Sequence, residues 1–301
     1  MAADRLDAVL PLTVRDAERA QILLRSLESF FAPLGTCFVV APDAEVRALR
    51  QAVGRDWCLV VPESEVVPEL RWFRRMARLR SKLHLAGPPF HGWFVQQLVK
   101  LAIAERVETP FYLTLDADVI CVRATAYDDL IRDGRALVQL SEPNHPEWND
   151  DAERVLALPR SGRQYGVTPA LLSREAVGSL AGHLERRVDP RLRRLERRTP
   201  HAAARLVLAS WRSFLLRNLP WTEYALYHTF LEQSRCFDRF HVFADGEELS
   251  GNNVWIESQF EQWAPVRDGR FHFSVVQSAT RIPAERVAAR LKRAQGAAQT
   301  V

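Results

Sequence analysis

The chain has 301 residues, of which 47% are apolar and 26% are charged. This is enough apolar material for one large domain or two fused ones. The net charge of +4 suits acidic small ligands or an anionic membrane surface and does not indicate nucleic-acid binding. The cysteines show no CxxC spacing, and we find neither a secretory signal nor an apolar run of about 18 residues. We therefore expect a cytoplasmic protein with no nucleic-acid partner.

The first third of the chain alternates strand and helix patterns. Unbroken apolar runs predict four buried strands, at 7–13, 36–42, 57–62 and 111–115. Helices are predicted from Asp16 to Phe31, from an N-cap at Asp43 toward Val53, and from Gly92 to Arg106. This order predicts an α/β fold in which a mostly parallel sheet is flanked by helices.

The pattern changes after Gln139, where Pro- and Trp-rich loops begin. We place a boundary there, between a first half of residues 1–139 and a second half of residues 140–301. The second half contains a helical insertion and ends in a helix that begins near Ile282.

Two stretches are strongly basic. The first, from Arg71 to Lys82, interleaves arginines with Trp72, Phe73 and Met76. The second runs from Arg186 to Arg198 and is predicted to be helical. Its apolar positions at helical spacing are Leu184, Val188, Leu192 and Leu195. The second stretch is either a solvated face or an amphipathic surface that contacts the inner membrane as a peripheral anchor.

Two carboxylates follow the fourth predicted strand. Asp116 and Asp118 are two residues apart, a spacing that on a strand directs both side chains to the same side. Ligands of open α/β sheets bind beyond the carboxyl ends of the strands. A divalent cation held there would take its remaining oxygens from a diphosphate and water, and it would stabilise the charge on a departing nucleoside diphosphate. Alternatively, Asp116 and Asp118 have a purely structural role and only cap the next turn.

The helix before this strand is apolar on nearly every side but carries a polar stripe. Gln96, Gln97 and Lys100 share one face at helical spacing. The stripe is either a solvated face or the wall of a cleft. Because lysine is rarely buried without a partner, we favour a cleft in which Lys100 and Gln97 contact a diphosphate or a sugar hydroxyl.

Several segments resemble a family of bacterial GT-A-type glycosyltransferases that is often linked to capsule or envelope glycans. They span roughly residues 6–280 and comprise 92–105, 112–123, 165–177, 221–227 and 273–278. The resemblance implies a GT-A fold, a nucleotide-sugar donor, a glycan or lipid-linked acceptor, and Mn²⁺ or Mg²⁺ as the cofactor. Residues 1–139 would then bind the donor, and residues 140–301 the acceptor.

The resemblance also implies roles for individual residues. Asp116 and Asp118 match the metal-binding motif, and Asp116 is also expected near the donor. Thr13 and Asp43, at the ends of the first and second strands, match positions that hold the nucleoside.

Two residues of the second half are further candidates. Glu223 begins a predicted helix for which Thr222 is a suitable N-cap. Glu223 is either an acid favoured by the helix dipole or, given the resemblance of 221–227, the base of an inverting transfer. His272 is either a structural histidine on a strand or a third metal ligand, as histidines are in several GT-A enzymes.

Three other functions fit parts of the sequence. A haloacid-dehalogenase-like phosphatase would carry its Asp-x-Asp after the first strand and would need a further acidic pair downstream. A sugar nucleotidyltransferase would need a glycine-rich loop after the first strand, and the loop after Leu12 contains no glycine. A non-catalytic glycan-binding or scaffold protein would not need Asp116, Asp118 and Lys100. We therefore expect a metal-dependent glycosyltransferase.

Overall fold

The computed structural model describes residues 4–82, 92–165, 168–192, 194, 209–264 and 269–298. Its strands are Leu6–Pro11 (β1), Leu34–Ala41 (β2), Cys58–Pro62 (β3), Phe111–Thr114 (β4), Val119–Cys121 (β5), Ile131–Arg132 (β6), Arg135–Val138 (β7), Ala170–Ser173 (β8), His241–Phe243 (β9) and Phe273–Val275 (β10). Its helices are Ala17–Phe30 (α1), Val46–Val53 (α2), Glu63–Val66 (α3), Leu70–Lys82 (α4), Gly92–Ala102 (α5), Tyr127–Leu130 (α6), Pro146–Leu156 (α7), Arg174–Arg187 (α8), Trp211–Arg217 (α9), Glu223–Gln233 (α10), Phe237–Phe240 (α11) and Ala284–Ala298 (α12).

A five-stranded sheet forms the centre of the molecule, in the order β3-β2-β1-β4-β8. The first four strands pair in parallel, and β8 pairs with β4 in the antiparallel sense. Every residue of β1, β4 and β8 is buried, which explains why their sequences are mostly apolar. The predicted α/β fold with a mostly parallel sheet between helices is confirmed.

Two smaller sheets join the first half of the chain to the second. Strand β5 pairs with β10 in the antiparallel sense, and β7 lies between β6 and β9. Because β8, β9 and β10 all follow residue 139, the two predicted halves share their sheets and one large apolar core.

A buried carboxylate joins the amino ends of three neighbouring strands. Asp7 Oδ1 accepts a hydrogen bond from the N–H of Thr36 at 2.9 Å, and Oδ2 accepts one from the N–H of Glu108 at 2.8 Å. A side chain at position 35 would not fit, because a Cβ on Gly35 would lie 2.6 Å from Asp7 Oδ1.

Two predictions of local structure need correction. The N-cap of α2 is Glu45, not Asp43, and the Asp43 carboxylate instead accepts a hydrogen bond from the N–H of Ser64 at 3.1 Å. Helix α8 ends at Arg187, within the basic stretch that was predicted to be one helix.

The apolar residues predicted for a membrane contact in that stretch lie partly inside the protein. Leu184 and Val188 are buried in the described structure, so they are not available to a bilayer. Leu195 and the residues that follow it to Arg198 lie outside the described residues. Among the helices described, none is long and apolar enough to span a membrane.

Candidate active site

A cavity of about 1100 Å³ opens beyond the carboxyl end of β4. Asp116 and Asp118 both line it. They lie in the turn between β4 and β5, not on a strand, so the alternation of strand side chains does not explain their common direction. The turn itself brings the two carboxylates to one wall of the cavity.

Lys100, from α5, is the centre of the cavity floor. Its Nζ lies 2.9 Å from Asp116 Oδ1 and 3.1 Å from Glu223 Oε1. The second contact is an ion pair whose angle is not that of a hydrogen bond. Because both carboxylates meet one nitrogen, these two oxygens lie within about 6 Å of each other. Residues separated by more than 100 positions in the sequence therefore form one charged cluster.

The burial of this cluster shifts the pKa values of its members. Burial alone would lower the pKa of Lys100, but Asp116, Tyr224 and Glu223 outweigh it and raise that pKa well above its ordinary value. Burial raises the pKa of Glu223, against the opposing effect of Lys100. Lys100 therefore carries its charge throughout the physiological range and stabilises the ionised form of Glu223.

The neighbouring helices fix Glu223 from its backbone. Glu223 is the first residue of α10, and the side chain of its N-cap, Thr222, accepts a hydrogen bond from the N–H of Ala225. Gln97 Oε1 accepts a hydrogen bond from the N–H of Glu223 at 3.0 Å. The predicted N-cap is confirmed. Gln97 and Lys100 of the polar stripe line the cavity, and Gln97 holds the start of α10.

Three hydroxyl groups complete the surroundings of Lys100. Thr168 Oγ1 lies 2.9 Å from Lys100 Nζ, and the Tyr224 hydroxyl lies 2.9 Å from Thr168 Oγ1 and 2.8 Å from Thr114 Oγ1. Sequence reasoning missed these residues. Tyr224 could have been found because it follows Glu223 in the segment that carries the family resemblance, whereas isolated threonines give no such signal.

Asp118 meets a third segment of the chain. Its Oδ2 accepts a hydrogen bond from the N–H of Ser278 at 2.8 Å. Burial, with the neighbouring Asp116 adding to it, raises the pKa of Asp118 to about 6, although the Ser278 N–H and Arg19 oppose this shift. A buried carboxylate whose pKa is raised by burial and by a neighbouring carboxylate is one that a cation would stabilise.

Asp116 and Asp118, on one wall of the cavity, are the two residues that would hold a divalent cation. Asp116 and Asp118 supply carboxylate oxygens, and within the described ranges no group of three metal-ligating side chains exists. The remaining positions would therefore go to a diphosphate and water, as Mg²⁺ and similar ions prefer.

His272 does not lie at this site. His272 immediately precedes β10 and continues its pairing with β5, so that it lies opposite Val122. The carbonyl of His272 accepts a hydrogen bond from the N–H of Val122 at 2.9 Å. This places it four residues beyond Asp118 along the ladder, roughly 13 Å away at the rise of a strand. Its imidazole is fully buried, and its Nδ1 lies 2.8 Å from Thr125 Oγ1. The structure contradicts the prediction of a third metal ligand here.

Thr13 and Asp43 lie near the same edge of the sheet but do not line the cavity. They follow β1 and β2, which run parallel to β4. Thr13 Oγ1 donates a hydrogen bond to Asp16 Oδ2 at 2.8 Å, and Asp43 is exposed. Their role toward a nucleoside stays a prediction.

Aromatic rings line part of the cavity. His145 stacks on Trp148 with ring centres 4.2 Å apart, and His228 stacks on Tyr165 at 4.0 Å. Trp93, at the mouth, is exposed. His228 is buried without a hydrogen-bond partner for Nδ1, and burial lowers its pKa well below the ordinary value. The cavity therefore combines a cluster of charged side chains with flat aromatic faces on part of its wall, and sequence reasoning did not identify these faces.

The sequence matches, over residues 3–296, a protein family described as a family of unknown function (DUF6492). The chain belongs to this family. No curated protein matches the sequence. Membership therefore groups the chain with its relatives but assigns no activity.

Glycosyltransferases are among the solved structures similar to this member of the family. Mouse xyloside xylosyltransferase 1 is 12% identical with a TM-score of 0.48, over 92% of this chain and 99% of that one. The galactosyltransferase LgtC is 12% identical with a TM-score of 0.43, over 96% of each chain. GlyE of Streptococcus pneumoniae TIGR4 is 10% identical with a TM-score of 0.42, over 90% of this chain and 54% of that one. Likenesses of this size do not assign a function.

Proposed function

We propose that this protein is a metal-dependent glycosyltransferase that moves a sugar from a nucleotide-sugar donor to a glycan or glycolipid acceptor. The observation that carries the proposal is the cluster in which Lys100 joins Asp116, beside Asp118, to the buried Glu223. The segments around these residues resemble a family of glycosyltransferases, which also supports the proposed function.

In this proposal Asp116 and Asp118 hold Mn²⁺ or Mg²⁺, which neutralises the diphosphate when it is bound. The carboxylates of Asp116, Asp118 and Glu223 outnumber Lys100 and would repel a diphosphate in the absence of a divalent cation. Binding of the diphosphate would therefore depend on the cation. Lys100 orients Asp116 toward the cavity. The aromatic walls at Trp148 and Tyr165 offer flat faces to sugar rings.

We assign Glu223 the role of the base in an inverting transfer. A single displacement needs a carboxylate that takes the proton of the acceptor hydroxyl as that oxygen attacks the anomeric carbon. Glu223 lines the cavity and is buried. Its N–H donates a hydrogen bond to Gln97 Oε1, and its N-cap, Thr222, holds the first turn of α10 through the N–H of Ala225. A retaining transfer would not require this base, and Glu223 would then only orient the acceptor.

Donor binding tests the proposal most directly. Purified protein is titrated with UDP-, GDP-, CMP- and dTDP-sugars in Mn²⁺, in Mg²⁺ and in EDTA, with binding followed by calorimetry and hydrolysis by release of the nucleotide. We expect one nucleotide class to bind only with a divalent cation. Asp118→Asn should lose this binding by 100-fold or more, on the order of 3 kcal/mol, while its thermal unfolding shows an intact fold.

Asp128→Asn is the matched control, since Asp128 is exposed on α6 and does not line the cavity. If every nucleotide class binds as strongly in EDTA as with a divalent cation, metal dependence is refuted. Binding of glycans with no nucleotide binding at all would favour the non-catalytic alternative.

A further inference from the structure

The outward face of α4 combines cations with exposed apolar side chains. Trp72 is 41% exposed and Leu79 is 49% exposed, and with the half-buried Met76 they follow one another at spacings of four and three residues. Such spacing places them in one stripe along the helix. Large exposed apolar side chains in a row mark an interaction surface more often than isolated ones do.

Cations flank this stripe on the same face. A groove of about 570 Å³ lies along the helix, and its described lining residues are Arg71, Arg75, Met76, Arg78, Leu79 and Lys82. The sequence of α4 contains no acidic residue. The face therefore carries several positive charges that α4 does not neutralise with acids of its own.

The other side of α4 anchors it to the protein. Leu70 is fully buried, Phe73 packs against the main core, and Arg74 forms an ion pair with the buried Glu63. These contacts fix the rotation of the helix about its axis. The cationic and apolar stripes consequently point outward together.

We propose that this face of α4 docks the protein on an anionic phospholipid bilayer. Arginine and lysine attract the headgroups of acidic lipids, and Trp72, Met76 and Leu79 enter the boundary between headgroups and acyl chains, as the apolar side of an interfacial helix does. A nucleic acid would match the charge but would leave the aliphatic stripe in water. The proposal does not depend on the reaction that the cavity catalyses.

The surface differs from the second basic stretch, where a membrane contact was expected from the sequence. There, the apolar residues Leu184 and Val188 are buried in the protein, while Arg186 and Arg187 at the end of α8 are exposed. The end of α8 therefore presents charge, while its neighbouring apolar residues Leu184 and Val188 are buried. It therefore provides a matched control for charge alone.

Vesicle flotation of the full-length protein tests the proposal. The vesicles are of phosphatidylcholine alone or with added phosphatidylglycerol, at low and at physiological ionic strength. We expect binding only to the anionic vesicles, weakened by salt. The triple variant Arg71→Gln, Arg75→Gln, Arg78→Gln should bind on the order of 100-fold more weakly, at about fivefold for each arginine.

The double variant Trp72→Ser, Leu79→Ser should lose about tenfold or more, because it removes the inserted apolar groups. The control Arg186→Gln, Arg187→Gln should bind within about twofold of the wild type, and circular dichroism should show that all variants are folded. Equal partitioning to both kinds of vesicle, or equal losses in the control and the triple variant, would overturn the proposal. So would binding of a single-stranded oligonucleotide without binding of anionic vesicles. None of these experiments measures activity, so failure to bind vesicles would not refute the proposed transferase function. Failure of the donor-binding experiment would likewise not refute the membrane contact.

Discussion

Two ion clusters in this molecule have the same make-up but different surroundings. In each, one cation lies between a buried carboxylate and a partly exposed one. The cavity cluster consists of Lys100, Glu223 and Asp116, and the Arg212 cluster consists of Arg212, Glu69 and Glu105. No member of the Arg212 cluster lines the cavity.

The neighbours of the two clusters decide what each can do. The Arg212 guanidinium lies over the Trp211 ring, and Ser210 donates a hydrogen bond to Glu69 at 2.5 Å. The cavity cluster instead faces an open volume in which Asp118 adds another carboxylate. Buried charge by itself therefore does not mark an active site. The cavity cluster differs from the Arg212 cluster in that it lies beside an open cavity and a further carboxylate.

Removal of the proposed base, Glu223, should have the largest effect on turnover. Glu223→Gln keeps the shape and the backbone contacts of Glu223 but cannot accept a proton. We expect transfer to fall by about 10²-fold, the usual scale for loss of a general base, with donor and metal affinity unchanged. Single-turnover transfer and donor calorimetry measure the two quantities separately. A variant that transfers at near-normal rate, or a product that retains the anomeric configuration, would defeat the assignment.

Lys100→Met should affect both activity and stability. It removes the cation between two carboxylates and leaves the buried Glu223 unpaired, so the free energy of unfolding should fall by about 3 kcal/mol. Transfer by the folded fraction should drop by about tenfold or more because Asp116 and Glu223 lose their common anchor. Urea unfolding and kcat/KM are measured on the same preparation. Unchanged kcat/KM would show that the cavity cluster is as structural as the Arg212 cluster.

Arg212→Met should affect stability alone. Glu69 is fully buried and would lose its cation, which costs about 3 kcal/mol of unfolding free energy. Transfer per folded molecule should remain normal. Glu69→Gln combined with Arg212→Met should recover much of the loss, because the buried charge is then absent. A fall in kcat/KM of the folded protein would mean that the two clusters are not functionally separate.

The smallest effect concerns His272, which is buried without lining the cavity. Burial, reinforced by Arg123, lowers its pKa to about 4, against about 6.5 in an unfolded chain. Between pH 6.5 and 4 the unfolded chain therefore binds a proton that the native state does not, and stability falls as the pH falls. The share of this group is at most about 1.4 kcal/mol per pH unit.

His272→Asn should reduce that slope while the hydrogen bond to Thr125 is kept. Urea unfolding of the wild type and of the variant between pH 6.5 and 4 measures the pH dependence of the free energy of unfolding. An identical slope in the two proteins would show that His272 titrates normally in the folded state.

The sequence was sufficient for the parts of the site that depend on local pattern. Apolar strands, the strand-end position of Asp116 and the polar stripe with Gln97 and Lys100 all follow from residue spacing. That Lys100 contacts Glu223 did not follow, because α5 and α10 meet only through tertiary packing. Lys100 was expected to face a bound ligand, and the structure shows that it has a carboxylate partner of its own on either side.

Two of the wrong predictions share one cause. His272 was considered as a ligand because its strand lies in the right part of the fold, but its distance from Asp118 depends on the register of β10 against β5. Leu184 and Val188 have the spacing of a surface stripe, yet a stripe facing lipid and one facing the core are identical in sequence. Long-range register and the direction of a helix face are properties of packing, which one sequence does not display.

The hydrogen bonds of Asp7 have a consequence for the opposite end of the sheet. Antiparallel neighbours are aligned by the tight turn that joins them, whereas β1, β2 and β4 come from distant parts of the chain and have no such turn. Asp7 holds the chain just before β4 and the start of β2 at fixed heights beside β1. Because strands are stiff and rise by a constant amount per residue, the stagger set there is transmitted along them. The carboxylate of Asp7 at the amino edge of the sheet therefore helps to fix the position of Asp116 at the carboxyl edge.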